Sequence, residues 1–563
     1  MKNLNRKYYL IAAFLPLVAF ISCKKEFIVK PPIDAIVDAN FYQTDDQVLA
    51  GTSLLYSKVW FDYNDKASYN LGDFRGGTAY SAYNDRGNVL FNTTGGNPDN
   101  GAAWRSFFIV VGQSNLAITN INRYAGDGVS PAVKKMAIAE ARFMRALAYR
   151  FLVMNWGPVP IIEDNQKIIS DTTVTRNTEK SIWKFITKEM RELSADLPET
   201  PLRVGRITKW SAEGMLARFY LTRAGVEANG AGPRNQSFLD SAKYYADRVI
   251  TNSKYSLQKN YADLFLYPYD NNSESIFSLQ WVYSPGAWGT QNSTPAYLGY
   301  SSDIANGDGW GGDKGATWWM MKQYEGFVSN TADDTLKGRT LDQRLKATYM
   351  LPGFYYPEIT QVTGGVKTKL TFPNNNNDVS FASIKKYVTG KAEDVGGNAA
   401  QQYYGNDTYM MRLAEMYLIY SEATIGNNAS TTDAKALQYF NKVHMRSGLS
   451  EFGLLPGPTA LTPDVIFKER FVEFAMEGMG WYDLVSLHYY NKAKAYSILN
   501  SQDRGLFSVK PDVFPNPTQW TVIKTSWATA DRKINANDGN FLLPIPSTEL
   551  SQAPNLLKPP VDY

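Results

Sequence analysis

The sequence predicts a mainly α protein, a scaffold of paired helices carrying one large, irregular, loop-rich insertion. Three observations lead there. Apolar residues recur at helical spacing through most of residues 44–252. Between about 255 and 409 that period fades, and glycine, asparagine, proline and aromatic residues crowd together. From 410 to about 490 the helical period returns. Residues 23–563 therefore read as two helical blocks flanking that insertion, length alone allowing two to four domains, and residues 1–22 as a signal peptide.

In that leader Lys2, Arg6 and Lys7 form a basic start, and Tyr8 to Ile21 an apolar run shorter than a membrane span. Ser22 stands directly before Cys23, with Phe20 where a leucine is usual, an arrangement that resembles a bacterial lipobox. Cleavage there makes Cys23 the point of lipid attachment and of anchoring to a membrane, each buried methylene contributing ~0.8 kcal/mol. Cys23 is the only cysteine in 563 residues, so no intramolecular disulfide and no cysteine-based metal or redox pair can form. Without Lys2, Arg6 and Lys7 the 58 basic residues become 55, against 54 acidic. That balance excludes a strongly basic nucleic-acid binder.

Extended, proline-marked chain follows from Pro31. Thr44 then caps a helix with Asp45 and Asp46 in its first turn, running through Val48, Leu55 and Val59 to Trp60. A polar, glycine-rich loop spans Tyr69 to Asn100. Helical patterns cover Trp104 to Tyr124, Ala132 to Asn155, Glu179 to Leu197, Thr208 to Ala228 and Phe238 to Ile250. Short polar connections make successive helices antiparallel αα-hairpins. In the second of these helices Ala139, Phe143, Leu147 and Phe151 share one stripe. Trp156-Gly157 ends it, and Pro158 and Pro160 hold the next residues extended. No strict internal repeat is present, so a tetratricopeptide-like array does not follow from periodicity alone.

Within the insertion Ser275 to Trp281 reads as a strand. The rest is crowded with rings, in a chain that is 14% aromatic, with 36 Tyr and 13 Trp. Sugar recognition needs ring faces for C–H surfaces, with amides or carboxylates nearby for hydroxyls. Trp281, Tyr283, Trp288, Tyr297, Tyr300 and Trp310, lying among Asn292, Asp303, Asn306 and Asp308, supply both and are candidate ligand contacts. Asp73, Arg75, Tyr80 and Tyr83 in the earlier loop are candidates from another side. Trp318-Trp319 is expected in the core. Helical faces resume with Leu413, Met416, Tyr417 and Tyr420, then Leu437, Phe440 and Val443, then Phe467, Phe471 and Phe474.

Catalytic motifs are weak. The chain has only His444 and His488, and no H-E-x-x-H. Gly307 to Gly312 matches G-x-G-x-x-G but has no βαβ context, and Gly390-Lys391 is followed by Ala392 rather than a Walker A hydroxyl. Glu469, Glu473 and Glu477 step along one helix among arginines and read as structural ion pairs, as do Glu415, Glu422 and Asp342-x-Arg344. Two converging carboxylates for glycoside hydrolysis are the competing reading. No cofactor is expected; Ca²⁺ held by loop carboxylates and carbonyls is the metal to weigh, and no motif supports it.

Several stretches, in order, carry a resemblance. They are Trp156-Gly157-Pro158-Val159-Pro160, Met411-Arg412-Leu413-Ala414-Glu415-Met416-Tyr417 with Ser421-Glu422-Ala423, and Asn441 to Gly448. Glu469-Arg470, Glu473-Phe474, Glu477-Gly478 and Trp481-Tyr482-Asp483-Leu484 follow, then Leu543-Pro544-Ile545-Pro546. With the lipobox they span nearly the whole chain, and together they resemble the signatures of SusD-like (SusD/RagB) nutrient-binding lipoproteins of Bacteroidota. His444 stands where an arginine is usual, and Gly480 where an arginine or histidine precedes the Trp. The resemblance implies that residues 23–563 form a single domain on four tetratricopeptide-like helix pairs, with the ligand face on the loops opposite. It implies a lipid anchor in the outer membrane facing the cell exterior, and a lid-like role over a SusC-like TonB-dependent transporter. The expected function is oligosaccharide capture and delivery without catalysis. A peptide-binding RagB-type lipoprotein is the near alternative, marked by a charged cleft. A surface glycoside hydrolase would release products, and a bare scaffold would bind nothing.

Overall fold

The computed structural model describes residues 38–563, apart from 83–85, 170, 172, 326, 331–334, 339–341, 374–381, 456, 506, 518 and 525–532. Helices start where a short polar side chain can accept from backbone N–H groups left without partners in the first turn. Thr44 caps Asp45–Ser53, Asn97 caps Pro98–Tyr124, Ser130 caps Pro131–Trp156 and Thr178 caps Glu179–Leu193. Thr208 and Asn235 do the same for Lys209–Val226 and Gln236–Asn252. Each of these helices from Pro98–Tyr124 onward packs on the next, and Gln236–Asn252 packs on Leu413–Ile425, which packs on Ala434–Arg446. The helical stack is thus continuous across the insertion, which loops out of it.

The Pro131–Trp156 helix is the centre of that stack. Every residue from Phe143 to Trp156 is buried, including Arg145, Arg150 and Asn155, so its second half is covered all round rather than along the single expected stripe. Gly157, at φ 69°, turns the chain out. Val159 then bridges to Asn177, which bridges to Val561 near the end of the chain.

The insertion is more ordered than its sequence texture predicts. Its ends are zipped together by antiparallel pairing of Ser275–Leu279 with Thr408–Arg412. Ala79–Ser81, Lys314–Ala316, Ser383–Ile384 and Tyr349–Met350 form a four-stranded sheet, and Tyr355–Thr363 pairs with Val366–Thr371. A second hydrophobic core including Phe74, Tyr80, Trp318, Tyr349 and Ile384 supports them. The Tyr69 to Asn100 segment is likewise not a free loop: it holds helical turns at Asn70–Phe74, the Ala79–Ser81 strand and the Arg86–Leu90 helix.

A knot of buried ion pairs ties insertion to scaffold. Glu473 meets Arg412 at 3.0 Å, Arg344 at 3.2 Å and Arg446 at 2.5 Å. Glu274 meets Arg412 at 2.5 Å and Arg446 at 2.9 Å. Burial alone would push the Glu473 carboxyl up, but the guanidinium groups of Arg446, Arg412 and Arg344 outweigh it and hold it down at about 2. His444 Nδ1 lies 3.0 Å from Glu469 Oε2, so the histidine keeps contact with that carboxylate.

Candidate functional site

Three segments far apart in sequence meet beside the exposed rings of Trp288 and Trp310. They are the helical stretch around Tyr63–Ala67, the loop from Trp281 to Trp310, and the chain from Tyr403 to Thr408. Buried amides fasten them. Asn64 Nδ2 donates to Asn292 Oδ1 at 2.9 Å, and Thr408 Oγ1 donates to Asn64 Oδ1 at 2.7 Å. Asn292 Nδ2 donates to the Asn406 carbonyl at 2.8 Å, while the Asn292 and Tyr404 backbones exchange bonds of 2.9 and 3.1 Å. A buried polar network of this kind fixes one arrangement, because losing any member leaves another unpaired.

Two aromatic pairs sit above it. Trp288, 50% exposed, stands edge-on to Tyr403 at 5.8 Å and to Phe61 at 5.2 Å. Trp310, 42% exposed, lies 5.0 Å from Tyr297 at an interplanar angle of 55°, and Lys66 Nζ is 5.3 Å from the Tyr297 ring centre. Phe61 and Lys66 belong to the same helical stretch, which therefore links the two pairs. On the same stretch Asp65 accepts from Ser293 Oγ at 2.5 Å, and burial raises its carboxyl above the ordinary range.

Local backbone holds the indoles outward. Around Trp288 the Val282 N–H donates to the Thr290 carbonyl at 2.9 Å, with Gly286 and Gly289 at φ 89° and 93° where a side chain would be strained. The Trp310 N–H donates to the Ala296 carbonyl at 2.9 Å. A Cβ on Gly309 would lie 2.3 Å from the Ser301 carbonyl carbon, and one on Gly311 2.1 Å from the Leu298 oxygen. Gly309 and Gly311, inside the stretch that matches G-x-G-x-x-G, thus let this loop lie flat on the turn beneath it and present Trp310.

Of the residues expected at a ligand face, Trp288 and Trp310 are exposed, and Tyr283, Tyr297, Asp303 and Asp308 are half-buried along the same loop. Five others are corrected. Asp73 is sealed, its carboxylate accepting from Thr78 Oγ1 and the Met476 and Gly478 N–H groups, each at 2.8 Å. Arg75 is buried between Phe91 and Trp481 and donates to the Asn540 and Phe541 carbonyls at 2.6 and 2.7 Å. Tyr80 is in the second core. Trp281, 5% exposed, gives its indole N–H to Thr408 Oγ1 at 3.1 Å. Tyr300 is buried edge-on to Phe372 at 5.0 Å. These aromatic and charged types are covered by groups that the sequence does not place beside them, such as the Met476 and Gly478 N–H groups, the Phe541 carbonyl and Thr408. Tyr83 and Cys23 lie outside the described residues. Phe61, Asp65, Lys66 and Tyr403 were not anticipated. The run Phe61-Asp62-Tyr63-Asn64-Asp65-Lys66, alternating rings with carboxylates and an amide, was the available signal.

A neighbouring carboxylate pair, Asp270 and Asp407, has both groups raised by burial. Asp407 is occupied by the Trp281 N–H, Gln280 and Asn271, so it braces the strand edge. Among the described residues no group of three or more His, Cys, Asp and Glu is placed to hold a metal ion, and no helix is long and apolar enough to cross a membrane.

The model of the SusD family matches residues 273–561, and a model described as starch-binding associating with outer membrane matches 29–221. A SusD-like protein of Bacteroides ovatus is 34% identical over 559 residues, covering 97% of this chain and 96% of its own. The chain belongs to the SusD family. The starch-binding protein SusD of Bacteroides thetaiotaomicron is 24% identical to this family member over 383 residues, covering 64% of this chain and 65% of its own. A crystal structure described as holding a xylogluco-oligosaccharide superposes with a TM-score of 0.78 at 32% identity, over 92% of this chain and 99% of that one. A laminarin-binding SusD-like protein, 21% identical with a TM-score of 0.63 over 91% of this chain and 98% of that one, shares the fold.

Proposed function

We propose that this SusD-family protein captures oligosaccharides on the face around Trp288 and Trp310, without catalysis, and delivers them to a SusC-like TonB-dependent transporter in the outer membrane. The observation that carries this reading is the pair of exposed indoles, each with a second ring at 5.8 or 5.0 Å, above the hydrogen bonds of Asn64, Asn292 and Thr408. Two ring platforms beside Asp65, Lys66 and Asp308 match alternating sugar rings and hydroxyls. The related structure that holds a xylogluco-oligosaccharide supports a β-glucan-type ligand. An aromatic rather than a charged platform favours glycan over peptide. The lipobox at Cys23 and the family description that places such proteins at the outer membrane support the location.

The test is calorimetric titration of the chain beginning after Cys23 with xylogluco-oligosaccharide, with the same samples assayed for cleavage products. Binding without products is expected. Trp288→Ala and Trp310→Ala should each weaken it about tenfold, ~1.4 kcal/mol, with unchanged folding. Released products would make it a hydrolase, and full affinity in both variants would move the site elsewhere. Delivery is tested by co-purification of the lipidated chain with a TonB-dependent transporter from membranes, which Cys23→Ala should abolish.

A further inference from the structure

Away from the aromatic face, a cavity of about 640 Å³ opens among the Lys209–Val226, Leu413–Ile425, Pro463–Glu473 and Gly480–Ser501 helices. Four acids line it, and each already has a cation. Glu415 is paired with Arg218, Glu422 with Arg234 at 2.8 Å, Asp483 with Arg470 at 2.7 Å, and Asp464 with Lys494. Arg150 is the fifth cation in the wall; among the described residues it forms no salt bridge, and the Glu415 carboxylate, already paired with Arg218, acts on it only from a distance.

Arg150 is 2% exposed, and its Nε and Nη1 find no hydrogen-bond acceptor among the described residues. Its contacts are ring faces, Tyr482 at 4.8 Å and Phe151 at 5.1 Å. Arg470 Nη1 and Arg234 Nε, on residues that also line the cavity, are unpartnered too. Burial and the nearby Arg218 lower the Arg150 guanidinium to about 10, which leaves it charged at neutral pH. The wall therefore holds one positive charge in surplus, and a buried charge without a partner is costly to a fold that gains nothing from it.

The rim is shaped as well. Asn491 leaves helical geometry (φ −149°, ψ 71°) inside the Gly480–Ser501 helix. The broken turn accepts the neighbouring loop, with Gly230 N–H donating to the Tyr489 carbonyl at 2.7 Å and Gly232 N–H to that of Tyr490 at 3.2 Å. Phe467, Leu487 and Ile498 give the cavity apolar walls.

We propose that this cavity binds a small organic carboxylate, with the carboxylate seated on Arg150 and the body of the molecule against Phe467 and Tyr490. The guanidinium fork suits a carboxylate's two oxygens, one negative charge balances the wall, and the volume suits a molecule of mono- to disaccharide size. The cavity shares no residue with the face around Trp288 and Trp310, so either site can fail while the other stands.

The experiment compares the chain beginning after Cys23 with its Arg150→Met variant, by thermal unfolding and calorimetry at constant ionic strength. Sodium glucuronate and sodium acetate are the probes, and glucose is the neutral counterpart. Glucuronate should raise the unfolding temperature of the unmutated chain, and glucose should not. Arg150→Met, which breaks no ion pair, should fold with an equal or higher midpoint and bind glucuronate at least about tenfold more weakly. Acetate acting alone would support the site with the carboxylate as the recognised unit. If Arg150→Met fails to fold, Arg150→Lys, which keeps the charge but loses the fork, must still weaken binding. No response to either carboxylate, or an undiminished response in the folded Arg150 variant, overturns the proposal. A glucuronate response that survives Trp310→Ala separates this site from the glycan face.

Discussion

Trp281 and Trp288 stand in one loop and meet opposite surroundings. Trp281 is enclosed, its indole N–H spent on Thr408 and its ring set edge-on to Phe61 at 6.5 Å. Trp281→Ala should therefore cost about 3–5 kcal/mol in denaturant unfolding. Trp288→Ala should shift that midpoint by no more than about 0.5 kcal/mol, its effect falling on ligand affinity. Sequence composition finds both as tryptophans in a ring-rich loop and cannot separate them. What separates them is Asp407 and Thr408, brought alongside by strand pairing between the ends of the insertion. The same blindness put Asp73 and Arg75 on a surface. A carboxylate and a guanidinium are ligand-recognising types, but here their partners are backbone groups near residues 476 and 541.

The loop carrying Trp310 is an element held by close approach. Gly311→Ala would place its Cβ 2.1 Å from the Leu298 oxygen, so the loop must lift from the turn beneath it. We expect glycan affinity to fall as far as in Trp310→Ala although both tryptophans are present, with a stability loss of about 1–3 kcal/mol. Asn292→Ala should do the same from below, since it strands Asn64 and frees three segments at once. At this scale the long helices were legible, because a 3.6-residue period and polar caps such as Thr44 and Thr208 are local signals. The short strands were not. Ala79–Ser81 and Lys314–Ala316 are three residues each and pair across more than two hundred positions, so no window of sequence contains the partner that makes them strands.

Over the whole molecule, the knot around Glu473 joins residues 274, 344, 412 and 446, and its strength is a function of pH. The carboxyl sits at about 2 in the fold and near 4.5 in the unfolded chain. Its contribution, about 3 kcal/mol, is complete above that higher value and is lost as pH falls through the lower one. Asp73 acts oppositely. Burial raises its carboxyl from 3.8 to about 7, so its contribution is complete below the lower value and is lost as pH rises from there through the higher one. From these two groups, unfolding midpoints measured across pH should therefore peak at about pH 4, and Asp73→Asn should flatten the decline between there and neutrality. The helical stack and the family signature were readable from one sequence; the platform was readable only in part, as a region rather than as residues. One further consequence concerns light. The chain has 13 tryptophans, and among the described residues Trp288 and Trp310 are the two whose indoles are most open to water. Among the described tryptophans the red edge of the emission thus belongs largely to the proposed sugar face, and a neutral collisional quencher such as acrylamide will dim that contribution first. A sugar resting on the two rings should shield them, so the protein carries its own dye at the place where binding is expected.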